Sequence, residues 1–171
     1  MSMIILDIPN VQGESAVEIA GGTVFKDMIL CESLSQDMTV EMEVSTNARR
    51  TVHTPKVENI TLERKWDRAS PKLISLLLRS ANSDTAKKQW TIHCLKPIGD
   101  SHQWGEFLTI ELTNPLIAKH SLSVNEGDTT ETIEINATEI YWTYKRYTEE
   151  QKHEGGGGVK FNLLKGTVSD S

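Results

Sequence analysis

Residues 60–83 read ITLERKWDRASPKLISLLLRSANS, and the reading of this stretch decides the fold. Ser70 can N-cap a helix by offering its hydroxyl oxygen to orphan amides, and Pro71 then takes the first helical position, where a missing N–H costs nothing. Leu73, Leu76 and Leu77 recur at spacings of three and four, with Ile74 and Leu78 beside them, which marks one apolar helix face. Lys72, Ser75, Arg79 and Ser80 take the other side, and Arg79 falls near the C-terminal end, where the helix dipole favours a cation. The pattern predicts a helix over about residues 71–82, closed by Asn82, Ser83 and Asp84. A helix of about ten to twelve residues is marginal alone in water, so packing must hold it.

Nearly all of the remaining chain reads as strand. Met3–Ile8 is a short apolar run ended by Pro9-Asn10, and Gly13 centres the turn VQGES at 11–15. Met28–Leu34 is strand-like. Met38–Ser45 alternates, with Met38, Val40, Met42 and Val44 on one face and Thr39, Glu41, Glu43 and Ser45 on the other. Thr46–Pro55 is a polar loop carrying Arg49, Arg50 and His53, and long irregular connections of this kind are often functional. Val57–Trp66, Ala86–Lys96, Glu106–Asn114 and Leu116–Asn125 return to alternation, and PIGDSHQWG at 97–105 reads as a hairpin loop. In Thr129–Tyr147 the apolar parity changes between Ile135 and Ile140, which predicts a bulge or bend at Ala137–Glu139. The charged run 145–154 and the glycines Gly155–Gly158 read as a flexible linker before a last strand, Val159–Val168.

The 171 residues suit one domain with a sizeable core. A net charge of −6 without a basic cluster excludes a general nucleic-acid binder. Cys31 and Cys94 sit in strand-like runs without a CxxC spacing, which favours buried thiols over a disulfide. The start of the chain has no positive segment before its short apolar run. It therefore predicts no Sec-type signal, and no later stretch predicts a membrane span. His53, His93, His102, His120 and His153 show no shared ligand spacing. Glu41 and Glu43 share a face, but paired acids on a solvated strand usually serve solvation. The sequence predicts no enzyme, metal or cofactor.

Three marks recur in a telling order. Gly13-Glu14-Ser15 follows the first strand, the block KWDRASPKL at 65–73 opens the helix, and Trp142-Thr143-Tyr144 comes late in EIYWTYKRY at 139–147. Together with VHTP at 52–55, this order resembles the Hcp family, the haemolysin-coregulated tube proteins of bacterial type VI secretion, over about Met3–Val168. The segment Lys145–Gly158 is longer than the family's spacer, and Ala20–Asp27 departs from its pattern.

The resemblance implies a mainly β fold, a two-sheet β-barrel with one flanking helix. It implies homohexameric rings that stack into a phage-tail-like tube, driven outwards by a contractile sheath. Effectors would travel in the lumen and a VgrG spike would cap the tip. Such a protein is made in the bacterial cytoplasm and then secreted. The family's extended loop falls on Thr46–Lys56, so Asn47, Arg49, Arg50, His53 and Lys56 are expected to reach a neighbouring ring. Thr39, Glu41, Glu43, Thr109 and Glu111 are expected to face the pore while the apolar faces of their strands fill the barrel. Two other readings are an effector-chaperone ring without a stable tube and a monomeric barrel that binds a small molecule.

Overall fold

The computed structural model describes residues 2–46, 49–79, 89–99, 103–147 and 153–170. The first strands are β1 (Met3–Asp7), β2 (Ala16–Glu18), β3 (Val24–Lys26), β4 (Ile29–Cys31) and β5 (Ser33–Ser35). Four short ones follow: β6 (Met38–Thr39), β7 (Met42–Val44), β8 (Arg50–Val52) and β9 (Lys56–Val57). β10 (Ile60–Arg64) leads into the helix α1 (Ser70–Arg79). The second half is β11 (Trp90–Ile98), β12 (Gln103–Thr113), β13 (Leu116–Asn125), β14 (Asp128–Asn136), β15 (Glu139–Tyr147), β16 (His153–Asn162) and β17 (Thr167–Asp170).

Two sheets carry the fold. The larger has seven strands in the order β17-β16-β15-β12-β11-β1-β4, and the smaller has four in the order β13-β14-β10-β5. All their pairings are antiparallel. The chain passes between the two sheets four times, from β4 to β5, from β10 through the helix to β11, from β12 to β13 and from β14 to β15. β4 runs into β5 across Glu32, whose amide donates to the Glu63 carbonyl at 2.7 Å. β14 runs into β15 through Ala137 and Thr138, where the parity change predicted a bend. The core fills the space between. Leu6, Ile29, Trp90, Ile92, Ile110 and Leu112 enter from the larger sheet, and Ile60, Leu62, Ile133 and Ile135 from the smaller. Each full burial of such a side chain contributes about 1.5–3 kcal/mol. The mainly β, two-sheet fold with one flanking helix is the fold observed.

The helix adds Leu73 and Leu76 to that core and packs against β13. It begins one residue earlier than expected, and residues 80–82 of the predicted span lie outside the described residues. Ser70 does not cap it. The first helical bond runs from the Leu73 amide to the Ala69 carbonyl at 3.0 Å. The Asp67 carboxylate takes the Ala69 amide at 2.8 Å, which leaves the Ser70 hydroxyl for a buried contact.

The VQGES turn is a lock. The Gly13 amide donates to the Asp27 carbonyl at 2.8 Å, and a Cβ at Gly13 would stand 2.1 Å from the Met28 carbonyl oxygen. The Ser15 hydroxyl accepts from the Met28 amide at 2.8 Å and donates to the Phe25 carbonyl at 3.0 Å. These bonds fold β2 and β3 over the larger sheet, where Phe25 forms a second cluster with Ile5 and Leu95.

Two segments differ from expectation. Met38–Ser45 is not one strand of the barrel: it breaks into β6 and β7, and its apolar side is exposed (Met38 55%, Met42 57%, Val44 73%). Its strands pair with β9 and β8, so it belongs to a projecting ribbon. The glycines expected as a linker lie in β16, with Gly156, Gly157 and Gly158 opposite Lys145, Tyr144 and Thr143. A Cβ at Gly156 would sit 1.9 Å from the Tyr144 carbonyl oxygen, so only glycine permits this approach beside the register shift at Lys145/Tyr147. Residues 148–152 lie outside the described residues.

Candidate assembly surface

The ribbon is an arm built from β6–β9 and, beyond it, β7–β8. Met42 stands opposite Val52, Glu43 opposite Thr51 and Val44 opposite Arg50. Opposed residues share a face, so Met42, Val44, Arg50 and Val52 form one side. Glu43 and Thr51 form the other, where His53 Nε2 lies 3.7 Å from the Glu43 carboxylate. The tip closes where the Ser45 amide donates to the Arg49 carbonyl at 2.9 Å. Every described residue from Met38 to Lys56 is exposed. Exposed apolar patches of this kind are candidate interaction surfaces.

The arm's root is pinned to the body. Trp142 Nε1 donates to Gln36 Oε1 at 3.0 Å, Gln36 Nε2 donates to the Glu58 carbonyl at 3.2 Å, and the Glu58 amide donates to the Asp37 carbonyl at 2.9 Å. Trp142, one of the late marks in the sequence, thus fixes the arm to the larger sheet.

A hollow of about 480 Å³ opens where β4 and β10 end, walled by Met3, Leu30, Trp66 and Trp104 with Glu14 and Glu32 at its edge. Its floor is a buried polar cluster. Arg64 donates from Nε to the Leu30 carbonyl at 3.1 Å, from Nη2 to Asp67 at 2.6 Å, and from Nη1 to both Glu131 and the Ser70 hydroxyl. Ser70 in turn donates to Glu131 at 2.8 Å, and His120 Nε2 meets the other Glu131 oxygen at 2.6 Å. Cys31 lies beside this cluster, and burial pushes its thiol up to about 12, which disfavours the thiolate form. Burial likewise raises Cys94, to about 11, and both thiols are free and buried as the sequence suggested.

On the larger sheet Thr109 and Glu111 are half-buried, opposite the core-facing Ile110 and Leu112. Thr109 donates to Glu106 at 2.6 Å, and Glu106 also meets His93 Nδ1 at 2.6 Å and Lys145 Nζ at 3.1 Å. Burial opposes the charge on Glu106, yet these partners, His93 foremost, hold its carboxyl down to about 2. Thr109 and Glu111 are not brought together with Thr39, Glu41 and Glu43, which lie on the arm.

Of the loop residues singled out by sequence, Arg49, Arg50 and His53 lie on the outer arm, Arg50 on the apolar face and His53 on the polar one. Lys56, at the root, pairs with Glu58 at 2.9 Å. Asn47 lies outside the described residues. Sequence reasoning missed the outward turn of Met42 and Val44. The available signal was Val52, an apolar residue in a polar loop at the position that answers Met42.

No group of three or more His, Cys, Asp or Glu residues among those described could hold a metal. No described helix is long and apolar enough to cross a membrane.

The family model described as "Type VI secretion system effector, Hcp" matches residues 5–144. No curated protein sequence matches this one. Among solved structures, one titled a type six secretion system protein superposes with a TM-score of 0.80 at 15% identity, covering 99% of this chain and 100% of that one. Hcp1 from Salmonella typhimurium gives 0.68 at 18% identity, covering 99% and 100%. A type VI secretion system effector from Yersinia pestis gives 0.60 at 17% identity, covering 93% and 98%.

Proposed function

Since the chain belongs to the Hcp family of type VI secretion proteins, we propose that it acts without catalysis, as a ring-forming subunit of the secretion tube. The observation that carries this reading is the arm. A ribbon whose described residues are all exposed, with Met42, Val44 and Val52 on one face, gains stability by burial on another copy. The strand β17 supports it too, since it ends the larger sheet with one side unpaired among the described residues, and such an edge invites a neighbour.

Six copies close into a ring, and rings stack into a tube that the contractile sheath propels and the VgrG spike caps. The tube carries effectors and leaves the cell with them. The sheet face bearing Thr109 and Glu111 lines the opening, while Arg49 and Arg50 contact an adjoining copy. The filled space between the sheets, occupied by Trp90, Ile92 and Ile133, speaks against a small-molecule barrel.

Size-exclusion chromatography with light scattering, followed by electron microscopy, tests the reading. A hexamer mass with annular particles is expected. A monomer at micromolar concentration without rings overturns it.

A further inference from the structure

Two of the sequence marks meet at one place, each with a member that the packing leaves over. In the block at 65–73, Lys65 Nζ is bound to Asp128 at 2.6 Å, Asp67 holds Arg64 and the Ala69 amide, and Arg68 donates to the Gly13 carbonyl at 2.6 Å. Trp66, between them, stays 37% exposed. In Gly13-Glu14-Ser15 the outer two residues form the lock on Asp27 and Met28, while Glu14 is exposed. Trp66 and Glu14 both line the hollow of about 480 Å³ where β4 and β10 end, together with Trp104 and Glu32.

We propose that this hollow binds a small organic ammonium cation, its charge facing the two indoles and the two carboxylates. The chemistry follows from the lining. Met3 and Leu30 add apolar wall to the two tryptophans. An indole face attracts a cation through the ring quadrupole, and aromatic cages recognise quaternary ammonium groups in this way. Glu14 and Glu32 have no ion-pair partner among the described residues. The hollow's own cations are engaged, Arg64 by Asp67 and Glu131 and Lys65 by Asp128. The charge left unbalanced is negative, so the complement is a cation with an apolar body. The volume falls within the roughly 300–1,000 Å³ of small-molecule sites.

The walls are held before any ligand arrives. Trp66 sits between the anchored Lys65 and Asp67. The Trp104 carbonyl accepts from the Ala20 amide at 2.8 Å, and the Glu32 amide donates to the Glu63 carbonyl at 2.7 Å. Glu14 is flanked by the Gly13 amide on Asp27 at 2.8 Å and the Ser15 amide on Met28 at 3.1 Å. A site fixed in advance loses less ordering entropy on binding. The two carboxylates also set selectivity. A choline phosphate headgroup carries its anion beside the ammonium and would bring like charge to Glu14 and Glu32, so the ligand is a soluble cation without an adjacent anion.

Isothermal titration calorimetry on the full chain with benzyltrimethylammonium chloride tests this. Saturable one-site binding is expected. Benzyl dimethyl carbinol, which keeps the shape and lacks the charge, should bind about tenfold more weakly, and phosphocholine should be weak as well. Trp66→Leu and Glu14→Gln/Glu32→Gln should each weaken binding by about fivefold to tenfold while Tm stays put, because all three residues are exposed. Tyr144→Leu, which removes an exposed aromatic outside the hollow, should change nothing. An absence of saturable heat, equal affinity for the carbinol, or unchanged binding in the two hollow variants overturns the site. Light scattering on the same samples reads ring formation separately, so loss of this site leaves the assembly reading standing.

Discussion

Arg64 and Glu131 stand 67 positions apart in the chain and meet inside it, their side chains 1% and 0% exposed. Their bond ties the end of β10 to β14, and Ser70 and His120 extend it to the helix and to β13. A buried pair of this kind is fully engaged, so removing one partner strands the other.

Glu131→Ala is therefore expected to destabilise the fold by about 3–5 kcal/mol, the cost of leaving a buried charge uncompensated. Urea unfolding of the monomeric state measures it. A loss under 1 kcal/mol, on the scale of an exposed pair, would show that the cluster is solvated.

Glu106 predicts an acid-side loss of stability. Its carboxyl falls from 4.5 to about 2 in the fold, so the unfolded chain binds its proton first. The contribution is present in full above the ordinary carboxylate range and fades as pH drops through the folded value. The shift corresponds to on the order of 3 kcal/mol. Thermal melts between pH 6 and pH 2 should fall more steeply for the native chain than for Glu106→Gln, and parallel curves would refute the assignment.

Gly13→Ala places a methyl group 2.1 Å from the Met28 carbonyl oxygen, where backbone must move. A loss of about 1–3 kcal/mol is expected, typical of overpacking. Calorimetry would read it as a lowered Tm.

On the arm, Met42→Ser and Val44→Ser should leave monomer stability within about 0.5 kcal/mol, because both sites are exposed. Assembly should weaken all the same. Light scattering and a melt of the same samples separate the two effects.

Salt gives a further handle. Raising ionic strength from about 0.1 M to 1 M shortens the screening length from about 10 Å to 3 Å, so the contacts proposed for Arg49 and Arg50 should loosen. Sedimentation across that range should show smaller species at high salt, and no change would remove the arginines from the contact.

Much of this architecture was legible in sequence. The helix declared itself through Leu73 and Leu76, and the bend at Ala137 through a change of parity. The arm was misplaced because alternation at Met38–Val44 reports a strand's period but not what covers it. The glycines at 155–158 suggested a linker because composition cannot show that Tyr144 needs a neighbour without a side chain. The Arg64–Glu131–His120 cluster was hidden for another reason: its members lie on three strands, and each one alone looks like a surface residue.

β1 must wait for one of its two neighbours. β1 lies between β4 and β11, and Met3 pairs with Leu95. A ribosome must therefore extend the chain from β1 as far as Leu95 before β1 can join its second neighbour. Such long-range pairing slows maturation. Under the assembly proposed above it would delay joining as well, because an unfinished sheet has no wall to offer a sibling.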